Sequence, residues 1–153
     1  MNDILVVASG GGHFSVALNM MKKSRYYCRY IVCVDSPDFI DIKNSWNLDI
    51  PFFAIREIGR NPFRVLSSLF YAYILIRRFN IKLVFSTGAT IAIPFLIVSR
   101  LMNIPSVFID TPTRVYSLGL SGRLASFLAT RFYVRHSSVC DSKYNVFPTR
   151  SIA

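Results

Sequence analysis

The sequence predicts a doubly wound α/β domain with a mostly parallel sheet, and three observations carry that expectation. Strand-like and helix-like runs alternate along the chain. The strand-like runs are dominated by Val, Ile, Phe and Leu with little alternation, as strands covered on both faces require. The first of them, Ile4 to Ala8, stops at Ser9-Gly10-Gly11-Gly12-His13 and gives way to helix-compatible residues. Strand, glycine turn and helix start in that order open a βα unit.

Each element has its own justification. Strands are expected at Ile4 to Ala8, Tyr26 to Val34, Pro51 to Ile55, Lys82 to Ser86, Ser106 to Ile109 and Arg131 to Val134, where β-branched and aromatic residues concentrate. Helices are expected between them, over Phe14 to Lys23, Asp38 to Trp46, Pro62 to Phe79, Ile91 to Met102 and Ser121 to Thr130. No internal repeat, low-complexity tract or linker interrupts the alternation. With 153 residues, the chain is expected to form one domain over 1–153, short for a two-domain enzyme.

The net charge of +10 is unevenly placed. Five basic and five acidic residues balance up to Ile55, and thirteen Lys and Arg then face only Glu57, Asp110 and Asp141. Such a field favours an anionic partner: nucleic acid, a phospholipid surface or a phosphorylated substrate. Cys28, Cys33 and Cys140 match no metal or redox spacing and read as buried or free thiols in a reducing cytoplasm. No metal site is expected, since neither His13 nor His136 has a second ligand at suitable spacing. No signal peptide is expected, because no basic segment precedes the first strand. Leu83 to Ser99 carries no charge, but Ser86-Thr87-Gly88 divides it into pieces below the roughly 20 residues of a membrane span.

In such a sheet, ligands gather beyond the carboxyl ends of the strands. Three loops are expected there. Gly10, Gly11 and Gly12 allow positive φ and close approach of backbone N–H groups to an anion or sugar, or they simply form a tight turn. His13 adds a hydrogen-bond donor and acceptor at the mouth of the site. Ser86, Thr87 and Gly88 follow the fourth strand and either cap the next helix or present N–H groups to a ligand. Asp110 begins a loop that soon meets Arg114, as a local turn or ion pair or as a substrate-positioning segment.

The helix after Pro62 is apolar nearly all round, more than one sheet contact needs. Arg64 near its start, Arg77 and Arg78 at its end, and Phe70, Tyr71 and Tyr73 between them suit the headgroup boundary of an anionic bilayer. The alternative is burial in the core or against a partner subunit.

Three segments in this order, Ser9-Gly10-Gly11-Gly12-His13, Phe85-Ser86-Thr87-Gly88-Ala89-Thr90-Ile91-Ala92-Ile93-Pro94-Phe95 and Phe108 to Arg123, resemble the PssD/CpsF family of polysaccharide biosynthesis proteins. These are bacterial relatives of the membrane-associated subunit of the two-component N-acetylglucosaminyltransferase that builds dolichol-linked oligosaccharides. The resemblance implies a Rossmann-like N-terminal half of a GT-B glycosyltransferase, similar to the acceptor half of MurG. It further implies a peripheral protein of the cytoplasmic membrane face that works in capsular or exopolysaccharide synthesis. Its implied partners are a small donor-binding subunit carrying most of the UDP-sugar site and an undecaprenyl-diphosphate-linked acceptor; no cofactor is implied.

Position by position, Gly10, Gly11, Gly12 and His13 match the family's glycine-histidine loop, and Ser86, Thr87 and Gly88 its second loop. Asp110 stands where many relatives have Glu, and Arg114 and Ser117 match the segment after it. Phe14 to Asn19 lacks the acidic residue that many relatives carry there, and no counterpart of the membrane-spanning helix that opens the eukaryotic relatives is expected. Attachment is therefore expected from the surface.

The implied chemistry is glycosyl transfer in which His13 either takes the acceptor proton or binds phosphate, with Asp110 as the competing base. A rival reading is a non-catalytic membrane scaffold that activates a separate catalytic subunit. A nucleotide-binding oxidoreductase fits poorly, because His13, Phe14 and Ser15 break the Gly-x-Gly-x-x-Gly pattern. Nucleic-acid binding would use the charge, yet no nucleic-acid motif accompanies it.

Overall fold

The computed structural model describes residues 3–23, 28–34, 44, 50–56, 62–110, 118–134 and 146–148. The elements are β1 (Ile4–Ala8), α1 (Gly12–Lys23), β2 (Cys28–Val34), β3 (Phe52–Ile55), α2 (Pro62–Arg78), β4 (Leu83–Ser86), α3 (Ala92–Leu101), β5 (Ser106–Ile109), α4 (Leu120–Leu128), β6 (Arg131–Val134) and β7 (Val146–Pro148). All strand pairs are parallel, in the order β3-β2-β1-β4-β5-β6-β7. The chain runs outward from β1 to β3 and then crosses back to β4, so the order reverses between β1 and β4. That is where an open α/β sheet leaves a crevice.

The doubly wound parallel class expected from the sequence is the class observed. Several boundaries moved. Helix α1 begins at Gly12, two residues before the expected Phe14, because Gly11 completes the turn and its carbonyl accepts the Ser15 N–H at 3.2 Å. Helix α4 stops at Leu128, short of the expected Thr130. Ala129 is already extended, and Thr130 and Ser106 exchange two backbone-to-hydroxyl bonds of 3.0 and 3.2 Å that join β5 to β6. Strand β7 was not expected at all; its three residues, Val146–Pro148, are too short to show a pattern. Of the helix expected over Asp38 to Trp46, all but Asn44 lies outside the described residues, as does the start of the strand expected from Tyr26.

Packing explains the weak alternation of the strands. Ile4, Val6 and Ala8 of β1 join Ile31 and Cys33 under Phe14, Ala17 and Leu18 of α1. Leu5 and Val7 join Val32, Val84, Phe108 and Phe132 on the other face, under α2, α3 and α4. Every residue of β1 is buried, so both faces select apolar side chains. Full burial of each Val, Leu or Ile contributes about 1.5–3 kcal/mol. Phe108 and Phe132 stack at 5.3 Å between ring centroids, and Phe79 packs on Tyr30 at 4.4 Å and Phe53 at 5.3 Å, closing the β2–β3 side. Cys33 is buried as a free thiol, and burial pushes its pKa up.

Helices α2 and α3 end alike. Asn80 and Asn103 take φ of 48° and 55°, the left-handed conformation in which Asn is the commonest substitute for Gly. Ile81 and Ile104 then return their N–H groups to Ile76 and Ser99, at 3.0 and 2.8 Å. The sequence around each is Arg-x-x-Asn-Ile-x-x-Val-Phe, from Arg77 and from Arg100. At nine residues, the recurrence is too short to read as an internal repeat from sequence. It delivers β4 and β5 into adjacent positions, one residue out of step with the recurrence, so that Val84 pairs with Ser106 and Phe85 with Val107.

Candidate functional site

The loops after β1 and β4 meet at the reversal of strand order. Val7 pairs with Ser86 across the two central strands, so residues 9–13 and 87–90 leave the sheet side by side. Gly11 takes φ of 73°. An added Cβ there would touch nothing within 4 Å, so its requirement for glycine is conformational. Gly12 has no such φ and equally open space, and it is exposed as the first residue of α1. The fold therefore accounts for glycine at 11 but not at 12, where a close approach from outside would. Gly10 begins the turn that Gly11 completes.

His13 lies in the first turn of α1 rather than in the loop. Its Nδ1–H donates to the Thr87 carbonyl at 2.9 Å, and the Thr87 hydroxyl donates to the His13 carbonyl at 2.6 Å. Since a carbonyl only accepts, Nδ1 carries the proton and the neutral ring has its lone pair on Nε2. Ser86 and Thr87 are fully buried. Ser86 makes long contacts with Gly88, its hydroxyl to the Gly88 carbonyl at 3.3 Å and the Gly88 N–H to its oxygen at 3.4 Å.

Gly88 and Ala89 both have positive φ, 120° and 74°. An alanine in that region costs about 1–2 kcal/mol. Strain of this kind concentrates where a loop must hold a set shape.

Asp110 follows β5 on the same edge of the sheet. Its N–H donates to the Tyr133 carbonyl at 2.8 Å, and its Oδ1 would lie 3.7 Å from a Cβ placed on Gly122. The carboxylate thus lies over the first turn of α4, a favourable place for negative charge. Arg114 and Ser117 lie outside the described residues. The structure thus brings together Gly11, Gly12, His13, Ser86, Thr87 and Gly88, with Asp110 one strand further along.

The membrane candidates separate on α2. Ser68, Ala72, Leu75 and Ile76 are buried against the sheet, while Arg64, Phe70, Tyr73, Arg77 and Arg78 are exposed. Tyr71 differs from its neighbours: it is half-buried, packs against the core, and burial raises the pKa of its hydroxyl. Sequence reading missed Phe63, 80% exposed, and Leu66 on the same outer face. It also missed a second stripe, Leu120, Leu124 and Phe127 of α4, with Leu101 at the end of α3. Their spacing of four and three residues was the available signal.

A cavity of about 470 Å³ opens at the opposite edge of the sheet, between the ends of α2 and α3, beside Arg77, Asn80, Lys82 and Asn103. The cations there face two helix C-termini, whose partial negative charge they complement. It lies away from the crevice. Among the described residues no group of three His, Cys, Asp or Glu could hold a metal ion, and no helix is long and apolar enough to cross a membrane.

No protein-family model matches the chain. It is 25% identical over 144 residues to the UDP-N-acetylglucosamine--N-acetylmuramyl-(pentapeptide) pyrophosphoryl-undecaprenol N-acetylglucosamine transferase of Geobacillus thermodenitrificans, an alignment covering 86% of this chain and 40% of that protein. The chain thus spans about two fifths of the length of the curated relatives it matches. Among solved structures, MurG of Acinetobacter baumannii superposes with a TM-score of 0.69 at 18% identity, over 99% of this chain and 47% of that one. The UDP-GlcNAc 2-epimerase of Methanocaldococcus jannaschii, solved with UDP-GlcNAc and UDP, gives 0.72 at 10% identity, over 95% and 46%. Those structures show the fold, a Rossmann-like half of the GT-B type, and the sequence similarity falls on the N-terminal part of MurG-like transferases.

The two glycines separate in an unfolding experiment. Gly11→Ala should lose about 1–2 kcal/mol through its φ, while Gly12→Ala should hold its stability or gain up to about 1 kcal/mol from helix propensity. Denaturant midpoints check this, and equal losses at both positions would contradict the assigned turn.

Proposed function

We propose that this chain is the acceptor-binding half of a UDP-sugar glycosyltransferase that extends a sugar carried on undecaprenyl diphosphate at the cytoplasmic face of the membrane. The observation that carries the reading is the two-loop crevice with His13 at the β1–β4 reversal, in a chain whose sequence relatives are transferases acting on a pyrophosphoryl-undecaprenol substrate. The donor half is supplied outside these residues, and we assign it to a separate small subunit, as in the PssD/CpsF type that the motifs resemble. Capsular or exopolysaccharide synthesis is the setting that resemblance suggests.

In the proposed reaction an acceptor hydroxyl attacks the anomeric carbon of the UDP-sugar. A new C–O bond forms, the bond to the diphosphate breaks, and UDP leaves with the electron pair. The hydroxyl proton passes to Nε2 of His13, and the resulting imidazolium strengthens its Nδ1–H bond to the Thr87 carbonyl. N–H groups of the glycine turn and the start of α1 face the acceptor diphosphate. Asp110, held at the start of α4, is the competing base, with Arg114 and Ser117 in the segment that follows it as further acceptor contacts.

The outer helical layer suits the lipid part of that acceptor. Helices α2, α3 and α4 carry Arg64, Arg77, Arg78, Arg100 and Arg123 and no acidic residue, beside the exposed stripes of α2 and α4. Two copies of this face would set arginine against arginine, whereas an anionic bilayer complements it. The scaffold reading shares this surface and differs only in whether His13 or Asp110 does chemistry.

The chain with and without its donor-binding partner, given UDP-sugars and membrane acceptor, tests the reaction. It should be inactive alone. In the complex, His13→Ala should lower turnover at saturating acceptor by about 100- to 10,000-fold; a defect cured by more acceptor assigns phosphate binding to His13 instead. Unchanged kinetics would remove His13 from the site and leave Asp110, and robust transfer by the chain alone would refute the split enzyme.

Vesicle binding tests the surface. Joint Arg64→Glu, Arg77→Glu and Arg78→Glu substitution should release the protein from anionic vesicles, and salt should weaken wild-type binding. Indifference to both would mean that α2 docks against protein.

A further inference from the structure

We infer that Thr87 is the positioning residue for His13, fixing the ring as its Nδ1–H tautomer from a rigid seat at the end of the central strand. The inference rests on the proposal that His13 acts in glycosyl transfer, and it adds what makes that side chain competent.

The two residues are 74 positions apart in sequence and joined by two bonds that run in opposite directions. The Thr87 carbonyl accepts from Nδ1 at 2.9 Å, and the Thr87 hydroxyl donates to the His13 carbonyl at 2.6 Å. One bond holds the ring and the other holds the backbone from which the ring hangs. Two-point attachment removes freedom that a single ring contact would leave.

Thr87 is suited to this because of what precedes it. Ser86 is paired on one side with Val7 of β1 and on the other with Phe108 of β5. Thr87 is therefore the first residue beyond a strand held from both sides, and its side chain is 0% exposed. Its hydroxyl has no access to water that could compete for the proton.

The tautomer matters because imidazole in water favours the proton on Nε2, which would leave that atom a donor unable to take a proton. The carbonyl reverses the preference and makes Nε2 the basic nitrogen of the ring. When the ring is protonated, the same carbonyl stabilises the cation without further movement. Threonine thus does with a backbone oxygen part of what a carboxylate does for a catalytic histidine elsewhere.

Nitrogen-15 spectra of the His13 ring in the 153-residue chain read the tautomer without any assay of transfer. In the wild type the neutral ring should carry its proton on Nδ1. Thr87→Val keeps volume and carbonyl but removes the hydroxyl, and should shift the ring toward a mixture with the Nε2–H form; Thr87→Ser should restore the wild-type spectrum. In the assembled transferase Thr87→Val should lower kcat about 10- to 100-fold with KM unchanged, again restored by Thr87→Ser.

A wild-type ring dominated by Nε2–H overturns the inference even if Thr87→Val does not fold. So does a Thr87→Val spectrum identical to wild type, or a change confined to KM. The expected tautomer together with an inert His13→Ala would support the clamp and overturn the catalytic reading instead.

Discussion

Everything in this molecule hangs on the burial of β1 between β2 and β4. Its five residues, Ile4 to Ala8, lie inside with both faces covered. A parallel strand in that position can be left only at its ends, and at its carboxyl end the chain turns through the left-handed φ that Gly11 takes. The glycines supply that turn, and the β1–β4 pairing places the second loop against it. The crevice is therefore a product of core packing, with its polar residues added at the one edge where the two central strands release the chain.

The second constraint is the difference between the two faces of the sheet. Helix α1 covers one beneath Phe14, Ala17 and Leu18. The other carries α2, α3 and α4 side by side, and large apolar residues remain among their outward side chains: Phe70 is 66% and Leu101 77% exposed. A layer that ended in water would expose polar residues there. The arginines that accompany these side chains, with no carboxylate in the same helices, underlie the proposed lipid contact. Arg100 also serves the fold, donating to the Phe127 carbonyl at 2.7 Å at the end of α4.

Much of this was legible in the sequence, for reasons that differ by element. Buried parallel strands announce themselves as apolar runs, so β1, β5 and β6 were expected at their observed limits. Strand β7 was not, since its pairing depends on β6 already being in place. The glycine-histidine segment and Ser86-Thr87-Gly88 were singled out separately, but nothing in one dimension says that Thr87 and His13 exchange hydrogen bonds. The start of α1 was misplaced because glycine is a poor helix former in isolation. In context the φ of Gly11 and the Ser15 bond start the helix at once. Tyr71 was grouped with Phe70 and Tyr73, although residues one apart on a helix point to different sides. The outer stripe of α4 and the paired Asn caps did have signals, in the spacing from Leu120 and in the recurrence around Asn80 and Asn103.

The central claim is that the β1–β4 crevice receives the diphosphate-linked acceptor. Amide spectra of the isotope-labelled chain, titrated with a short-chain, water-soluble prenyl-diphosphate sugar, address it directly. The account predicts shifts concentrated at residues 10–13 and 86–90, with Asn80, Lys82 and Asn103 undisturbed. Shifts centred instead on the cavity between the ends of α2 and α3, or none in either loop at saturation, would contradict it.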